Sequence, residues 1–143
     1  MSYNFRKGAD GSFSYTDYYI RHMNRNVMVS TINGPMDRQD ATYKVVHALC
    51  EPGQGACPAQ NAGSTGCISL EAVNYPGYFL SGSTDKAAIE LSKADGSEAF
   101  AMTASFCLQA GLADANAVSL EFLGQTGKYL RHAGYSLFGC GAD

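Results

Sequence analysis

Short runs that alternate large apolar residues with small or polar ones dominate this chain. Two examples are Asp40-Ala41-Thr42-Tyr43-Lys44-Val45 and Thr103-Ala104-Ser105-Phe106-Cys107-Leu108. This period of two is typical of a strand that is buried on one face, and no stretch shows sustained helical spacing. Glycine and proline turns separate the runs. The pattern predicts strands over residues 2–6, 18–22, 26–30, 41–46, 67–72, 78–81, 88–91 and 102–108. Asp85–Leu91 is the one segment that is equally compatible with a helix.

Three segments of the chain repeat one another. Tyr18-Tyr19-Ile20-Arg21-His22 returns as Lys128-Tyr129-Leu130-Arg131-His132, and the aromatic-aliphatic centre recurs between them at Tyr78-Phe79-Leu80. A Ser-Leu-Glu triplet precedes the second and third segments, at 69–71 and at 119–121, so these two copies are offset by 50 residues (69 to 119). An internal repeat of this length indicates a fold built from stacked copies of one unit.

The repeat predicts an all-β fold, a β-trefoil of three four-stranded repeats, in a single domain over 1–143. The repeats span about 2–66, 67–117 and 118–143. No single copy can bury its own apolar face, which is why several copies are needed. The last strand of the third repeat should lie well past His132, but the sequence ends at Asp143, so we expect an incomplete third repeat. The stretch 51–66 is rich in Gly, Pro and Gln without periodicity, and we expect a functional or mobile loop there.

Composition narrows the class of protein. With 143 residues, of which 45% are hydrophobic, the chain can bury a core and is not disordered. Only 16% of the residues are charged and the net charge is −3, which argues against nucleic acid or an anionic membrane as the partner. No apolar run is long enough to cross a bilayer, and no signal peptide is visible. Without a phosphate loop or a metal-type Cys/His cluster, we expect no cofactor and no metal.

Five cysteines are many for a cytosolic protein of this size, and they predict an extracellular protein with disulfide bonds. Cys67 opens the second repeat and Cys107 closes it, so these two are candidate neighbours. Cys50 and Cys57 bracket a short loop that a second bridge would close, which leaves Cys140 unpaired. Five reduced thiols remain the alternative, because sequence does not determine disulfide connectivity.

The order of these motifs resembles that of a known family. Tyr19-Ile20-Arg21-His22 is followed by Asp40-Ala41-Thr42-Tyr43, and then by Cys67-Ile68-Ser69-Leu70-Glu71 and Ala104-Ser105-Phe106-Cys107. The series is similar to the arabinose-binding domain of α-L-arabinofuranosidases, the AbfB type or family 42 carbohydrate-binding module. The likeness runs from residue 4 to residue 138. It implies a β-trefoil that binds arabinofuranose side chains of arabinoxylan or arabinan.

The resemblance also implies which residues bind the sugar. Each repeat of the family can hold one pocket, built from the His of the Arg-His pair and the Asp at the start of the rear strand. The first repeat carries both, as His22 and Asp40, whereas the second has Gly82 and Thr103 in their places and should have no working pocket. The third keeps His132 without an aspartate partner. The family further implies a bond between the cysteines at 67 and 107.

The chemistry of the first repeat suits a sugar. A hydroxyl can donate to a carboxylate and accept from an imidazole N–H, so His22 with Asp40 fits one edge of a furanose. Tyr18, Tyr19 or Tyr43 beside them is a candidate for covering an apolar sugar face. The alternative is structural, with the histidine bonded to backbone and the aspartate capping a turn.

The sequence therefore favours a non-catalytic module, not an enzyme, whose partner is an arabinose-containing polysaccharide. A nucleophile pair of His47 with Cys50 or Cys107 is the formal catalytic alternative, and a carboxylate pair for glycoside hydrolysis is not excluded by count. A second hypothesis is a structural β-trefoil that self-associates, with a neighbouring chain completing the third repeat.

Overall fold

The computed structural model describes residues 18–82, 88–133 and 135–141. Within these ranges the chain forms ten β-strands and two short α-helices. In chain order they are β1 (Tyr18–Met23), β2 (Asn26–Thr31), α1 (Gly34–Asp40), β3 (Tyr43–His47), β4 (Cys67–Ala72), β5 (Tyr78–Ser81), β6 (Glu90–Lys93), α2 (Glu98–Thr103), β7 (Phe106–Ala110), β8 (Val118–Phe122), β9 (Lys128–Ala133) and β10 (Ser136–Gly141). The strand predicted at 2–6 lies outside the described residues.

The ten strands belong to one antiparallel sheet that closes on itself. Neighbouring strands follow the order β2, β10, β9, β8, β7, β4, β5 and β6, and β6 returns to β2 where Glu90 faces Asn26. These eight strands therefore form a closed barrel, an arrangement that leaves few free edges. Among the described residues, β1 pairs with β2 alone and β3 with β4 alone, so both lie beside the ring.

The predicted β-trefoil of three four-stranded repeats is wrong, because the strands close into a single eight-stranded barrel. The sequence pattern located the hairpins β1–β2 and β5–β6, but it did not show β10. That strand pairs with β9 along its whole length and meets β2 where Ser136 faces Met28. It thereby joins the third repeated segment to the first. Such pairings between distant segments depend on tertiary packing, which a local period does not report.

The repeated Ser-Leu-Glu triplet has the same structural role in both copies. Glu71 of β4 faces Phe79 of β5, and Glu121 of β8 faces Tyr129 of β9. In each copy the glutamate carboxylate accepts a hydrogen bond from the backbone N–H six residues later, at 2.7 Å in both. The 50-residue offset in sequence is therefore an offset between two equivalent strand–turn–strand units.

Both helices were missed by the sequence pattern: α1 lies directly before the strand predicted at 41–46, and α2 covers the start of the strand predicted at 102–108. α1 ends at Asp40 and α2 ends at Thr103, and each is followed after two residues by a strand. The hydroxyl of Ser97 caps α2 by accepting from the backbone N–H of Phe100 at 3.1 Å, and Pro35 lies in the first turn of α1. Helices of seven and six residues are too short to display a period of 3.6 in the sequence. No described helix is long and apolar enough to cross a membrane.

The barrel interior holds the apolar side chains that alternate along the strands. The rings of Phe106 and Phe122 pack with their centroids 5.1 Å apart. The buried cluster around them is Ile20, Val27, Val29, Tyr43, Leu70, Ala72, Leu80, Ile89, Leu91, Leu120 and Leu137. Every repeated segment contributes to it, so the three copies share one core.

Two disulfide bonds join Cys50 to Cys57 and Cys67 to Cys107. Cys67 and Cys107 face each other directly across the β4–β7 pair. The bond between Cys50 and Cys57 lies against a smaller buried cluster that includes Ala101 and Leu123. The bridge between Cys67 and Cys107 fixes the barrel wall, and the bridge between Cys50 and Cys57 closes the start of the 51–66 loop.

Removing the bridge between Cys67 and Cys107 should destabilise the fold more than removing the other. The two cysteines are 40 residues apart in sequence, against 7 for Cys50 and Cys57. Loop-closure entropy then gives a stabilisation of roughly 4 kcal/mol for the long loop and roughly 2.5 kcal/mol for the short one. The double variants to alanine, unfolded in denaturant, provide the comparison. Equal losses in the two double variants would contradict the expectation.

Candidate functional site

The Arg-His pair of the first repeat lies near the end of β1, and Asp40 is the last residue of α1. The structure brings these side chains together in the interior: Arg21 is 4% exposed, His22 3% and Asp40 9%. Arg21 Nη2 lies 2.7 Å from Asp40 Oδ2, and Arg21 Nη1 lies 2.9 Å from Asp37 Oδ1. One guanidinium thus holds two carboxylates of α1 and docks the helix on β1. A buried arginine of this kind needs such partners.

Asp37 is held ionised by its surroundings. The backbone N–H of Asn33 donates to Asp37 Oδ2 at 2.9 Å, and the Arg21 guanidinium lies on the other oxygen. The hydrogen bond from Asn33 is the main reason that the pKa of Asp37 lies below its usual value; burial opposes this effect, and Arg21 lowers the pKa further.

Asn74 links the histidine to the aspartate. It comes from the turn between β4 and β5, and its Nδ2 donates to Asp40 Oδ1 at 2.9 Å. Because a carboxylate only accepts, the amide oxygen of Asn74 faces His22 Nε2, at 3.0 Å. This network assigns the proton of a neutral His22 to Nε2 and leaves Nδ1 as the acceptor nitrogen. His22 Nε2 and Asp40 Oδ1 are themselves 3.7 Å apart.

Aromatic side chains surround His22. The ring of Tyr75 meets the imidazole edge-on with centroids 5.4 Å apart, and Tyr78 follows at 5.8 Å from Tyr75. Tyr75 is 50% exposed, so its ring offers a face to a ligand. These rings border an open cavity of about 320 Å³, which we call the His22 pocket; its lining is His22, Asn24, Arg25, Tyr75, Tyr78 and Leu91.

Of the tyrosines expected near the sugar, Tyr43 meets the His22 ring edge-on from within the core, with centroids 6.3 Å apart, while Tyr18 and Tyr19 are not among the residues that line the His22 pocket. Tyr43 is buried beneath α1, and its hydroxyl donates to the backbone carbonyl of Asp40 at 3.2 Å. Burial, helped by the charge of Asp40, raises the pKa of Tyr43 far above its usual value. Tyr18 stacks on Tyr135 with centroids 5.9 Å apart, and Tyr19 lines a separate cavity with Asn33.

In the described part of the second repeat, small residues stand where the first has its pocket residues. At the position of His22 the second repeat has Gly82, where an added Cβ would collide with the side chain of Ile89. The counterpart of Asn74 in the turn of the third repeat is Gly124, where an added Cβ would lie 2.5 Å from Pro58 Cγ of the 51–66 loop. Because these two residues are glycines, Ile89 and Pro58 fill the space that corresponds to the His22 pocket.

A buried polar network fastens the 51–66 loop there. Asn61 Nδ2 donates to Glu121 Oε1 at 2.9 Å, and the backbone N–H of Gly124 donates to Asn61 Oδ1 at 2.8 Å. Gln109 Nε2 donates to the same Glu121 oxygen at 2.8 Å. Burial alone would raise the pKa of Glu121, but the bonds from Gly127, Gln109 and Asn61 together hold it below its usual value. The loop is therefore an ordered part of the barrel wall.

His132 of the third repeat lies in a different setting. It borders a mostly apolar cavity of about 400 Å³ that is also lined by Ile20, Leu112, Leu130 and Leu137. No carboxylate is among the residues that line this cavity.

The structure removes the thiol nucleophile from one of the catalytic alternatives. Cys50 and Cys107 are both in disulfide bonds, so neither is a free thiol for His47. Asp37 and Asp40 are both bound to Arg21 and thereby hold α1 on β1. Among the described residues no group of His, Cys, Asp and Glu could hold a metal ion.

Asn74, Tyr75 and Arg25 were not predicted as site residues from the sequence. Asn74 lies between the strands predicted at 67–72 and 78–81 of the second repeat, and the structure folds the turn that contains it over the first repeat. The signal available was comparison of the copies: the offset of 50 puts Gly124 where the other unit has Asn74. The difference between the copies singles out Asn74 as a special position, but it does not show that Asn74 contacts His22.

The fold and the site define the class of this chain: it is a disulfide-bonded β-barrel domain with a polar and aromatic pocket. Residues 11–138 match the family model of the alpha-L-arabinofuranosidase B (ABFB) domain. The chain belongs to this AbfB domain family, and the resemblance stated from the motifs is confirmed.

Three relatives are longer proteins, and this chain matches one part of each. Alpha-L-arabinofuranosidase B of Emericella nidulans is 28% identical over 121 residues, which cover 82% of this chain and 22% of that protein. A GH54 α-L-arabinofuranosidase soaked with a cyclic sulfate inhibitor has a TM-score of 0.72 at 25% identity, over 96% of this chain and 25% of that one. An arabinofuranosidase complexed with arabinofuranosyl-α-1,2-xylobiose also has a TM-score of 0.72 at 25% identity, over 94% and 25%. The chain spans about a quarter of the length of these relatives.

Replacing Asp40 by alanine should destabilise the protein by about 3 kcal/mol, because it leaves the buried Arg21 with one carboxylate fewer. Asp37→Ala is the matched control; it removes the other, more exposed carboxylate and should cost less. Denaturant unfolding measures both. A loss for Asp37→Ala as large as that for Asp40→Ala would contradict this account of the cluster.

Lowering the pH should weaken the fold through Glu121. Its pKa is lower in the folded protein than in the unfolded chain, so its contribution is complete above the unfolded value of about 4.3 and is lost as the pH falls through the folded value. Glu121→Gln should therefore flatten the fall of the unfolding free energy below about pH 4.3. Unfolding curves recorded at several acidic pH values test this, and unchanged acid sensitivity in the variant would refute it.

Proposed function

We propose that this chain is a non-catalytic carbohydrate-binding domain that holds an arabinofuranose side chain of a polysaccharide in the His22 pocket. The observation that carries the proposal is the bonded series His22–Asn74–Asp40 beside the exposed ring of Tyr75. Fixed acceptors and donors next to an aromatic face are the combination that a sugar requires, since its hydroxyls need partners and its C–H face needs apolar cover.

The chemistry of the pocket supports a small neutral ligand. The carboxylate of Asp40 is already neutralised by Arg21 and has lone pairs left for a hydroxyl. The cavity of about 320 Å³ suits one sugar ring more than a long chain. A short branch such as arabinofuranose therefore fits better than a backbone segment. The relatives are described as arabinofuranosidases, one of them complexed with an arabinofuranosyl xylobiose, which favours the same sugar.

Hydrolysis would belong to the part of such relatives that this chain does not match. The pairing of Asp37 and Asp40 with Arg21 supports a binding role, because neither carboxylate is in a setting that favours a general acid. The two disulfide bonds support an extracellular location, since such bonds persist in oxidising surroundings. The self-assembling alternative gains no support from the comparisons, and we do not retain it.

One functional pocket predicts one bound sugar per chain. Calorimetric titration with an arabinofuranosyl xylo-oligosaccharide should give a stoichiometry near one. Asn74→Ala should weaken binding by roughly tenfold, because His22 and Asp40 lose the group that positions them. Asn74→Asp keeps the shape of the side chain but replaces the N–H donor to Asp40 by an oxygen acceptor, so it should weaken sugar binding as well.

His132→Ala is the control for the third repeat and should leave both affinity and stoichiometry unchanged. Absence of saturable binding by the unmodified protein would end the proposal. A stoichiometry near two, or loss of a site in His132→Ala, would show that the third repeat binds sugar too.

A further inference from the structure

We propose that Arg25 is a specificity-determining residue of the His22 pocket and that it binds a carboxylate carried by the glycan next to the bound arabinofuranose. The ligand class is then an acidic oligosaccharide, in which a uronic acid neighbours the arabinose branch. The inference rests on the proposed function, because it requires a sugar in this pocket.

Arg25 occupies a backbone position that disfavours it. Asn24 and Arg25 connect β1 to β2, and both have left-handed backbone angles, with φ of 53° and 69°. A two-residue hairpin turn of this kind usually has the sequence Asn-Gly, because glycine adopts positive φ without steric cost. Asn24 suits the first position, but arginine at the second is strained. Retained strain of this sort is characteristic of sites where the side chain has a role.

The strained turn places the guanidinium at the wall of the pocket. Its carbon lies 5.5 Å from the centre of the Tyr78 ring, and Nη2 donates to the Tyr78 hydroxyl at 3.5 Å. Both contacts are weak, because the arginine is exposed and the hydrogen bond is long. They orient the side chain, but neither accounts for keeping an arginine at a glycine position.

The two arginines near the pocket differ in what they pair with. Arg21 is buried and bound to two carboxylates. No described carboxylate lies within the 4.0 Å ion-pair distance of Arg25, although Glu90 faces the adjacent Asn26 across the β2–β6 pair. Arg25 therefore brings an unneutralised cation to the pocket of a chain whose net charge is −3.

A planar guanidinium favours a carboxylate over a hydroxyl. It can form two parallel hydrogen bonds with a carboxylate, and the opposite charges strengthen both. His22 lines the pocket, with Asp40 bonded behind it through Asn74, and their polar atoms suit the hydroxyls of a neutral ring. Arg25 lies at the exposed turn, where the next sugar of the glycan would emerge. The geometry thus divides the ligand into a neutral branch inside and an acidic neighbour at the rim.

Calorimetry with two matched probes tests the inference: an arabinofuranosyl xylo-oligosaccharide, and the same oligosaccharide carrying a glucuronic acid beside the branch. The unmodified protein should bind the acidic probe roughly three- to tenfold more tightly at about 0.01 M salt. The preference should shrink at about 0.15 M salt, where the Debye length falls from about 30 Å to about 8 Å.

Arg25→Gly should abolish the preference while raising the melting temperature by roughly 2–4 °C, because glycine relieves the strained turn. This opposite change in stability separates loss of the side chain from damage to the fold. Arg25→Lys keeps the charge without the planar fork and should retain a smaller preference. Lys128→Ala removes one positive charge on β9 and should leave the preference unchanged.

Equal affinity of the unmodified protein for the two probes would overturn this inference and leave the proposed function standing, and so would a preference that survives in Arg25→Gly. Failure to bind either probe would overturn both.

Discussion

The geometry of the His22 pocket depends on the hydrogen bonds that the carboxylate of Asp40 accepts. One of its oxygens accepts from the buried guanidinium of Arg21, and the other accepts from Asn74. These bonds tie together three parts of the chain that are distant in sequence: β1, the end of α1 and the turn between β4 and β5. Because a buried carboxylate is costly unless both oxygens are satisfied, its partners must all be in place together. The orientation of His22 follows from this, since Asn74 can offer only its oxygen to the imidazole.

The repeated units show how one scaffold supports different outcomes. Glu71 and Glu121 close equivalent turns with equal bonds to backbone N–H groups. Beyond that turn the copies diverge. Asn74 reaches across to His22, whereas Gly124 makes room for Pro58 of the inserted loop. The same strand–turn–strand unit therefore builds a pocket in one place and a packed wall in another. The difference arises at one turn position, where Gly124 has a positive φ of 75° and Asn74 does not.

The 51–66 stretch gains its order from polar contacts, not from an apolar core of its own. Asn61 is buried, and its side chain bonds to Glu121 and to the backbone of Phe122 and Gly124. The bond between Cys50 and Cys57 shortens the free part of the segment. A stretch whose composition resembles that of a mobile loop is thereby held against the barrel.

Much of the local structure and the family follow from the sequence by itself. The alternation of large and small residues identified β1, β2, β4 and β5, and the order of the motifs identified the AbfB family. The pairing of His22 with Asp40 was also expected, because both belong to a recognisable motif. The closure of the strands into an eight-stranded barrel, and the placing of Asn74, Tyr75 and Arg25 around His22, were decided by tertiary structure alone. The reason is physical. A period of two along the sequence reports which face of a strand is buried, but it does not report which segment pairs with a strand edge or a turn. That choice depends on packing between segments that are distant in sequence, such as His22 and Asn74, which are 52 residues apart.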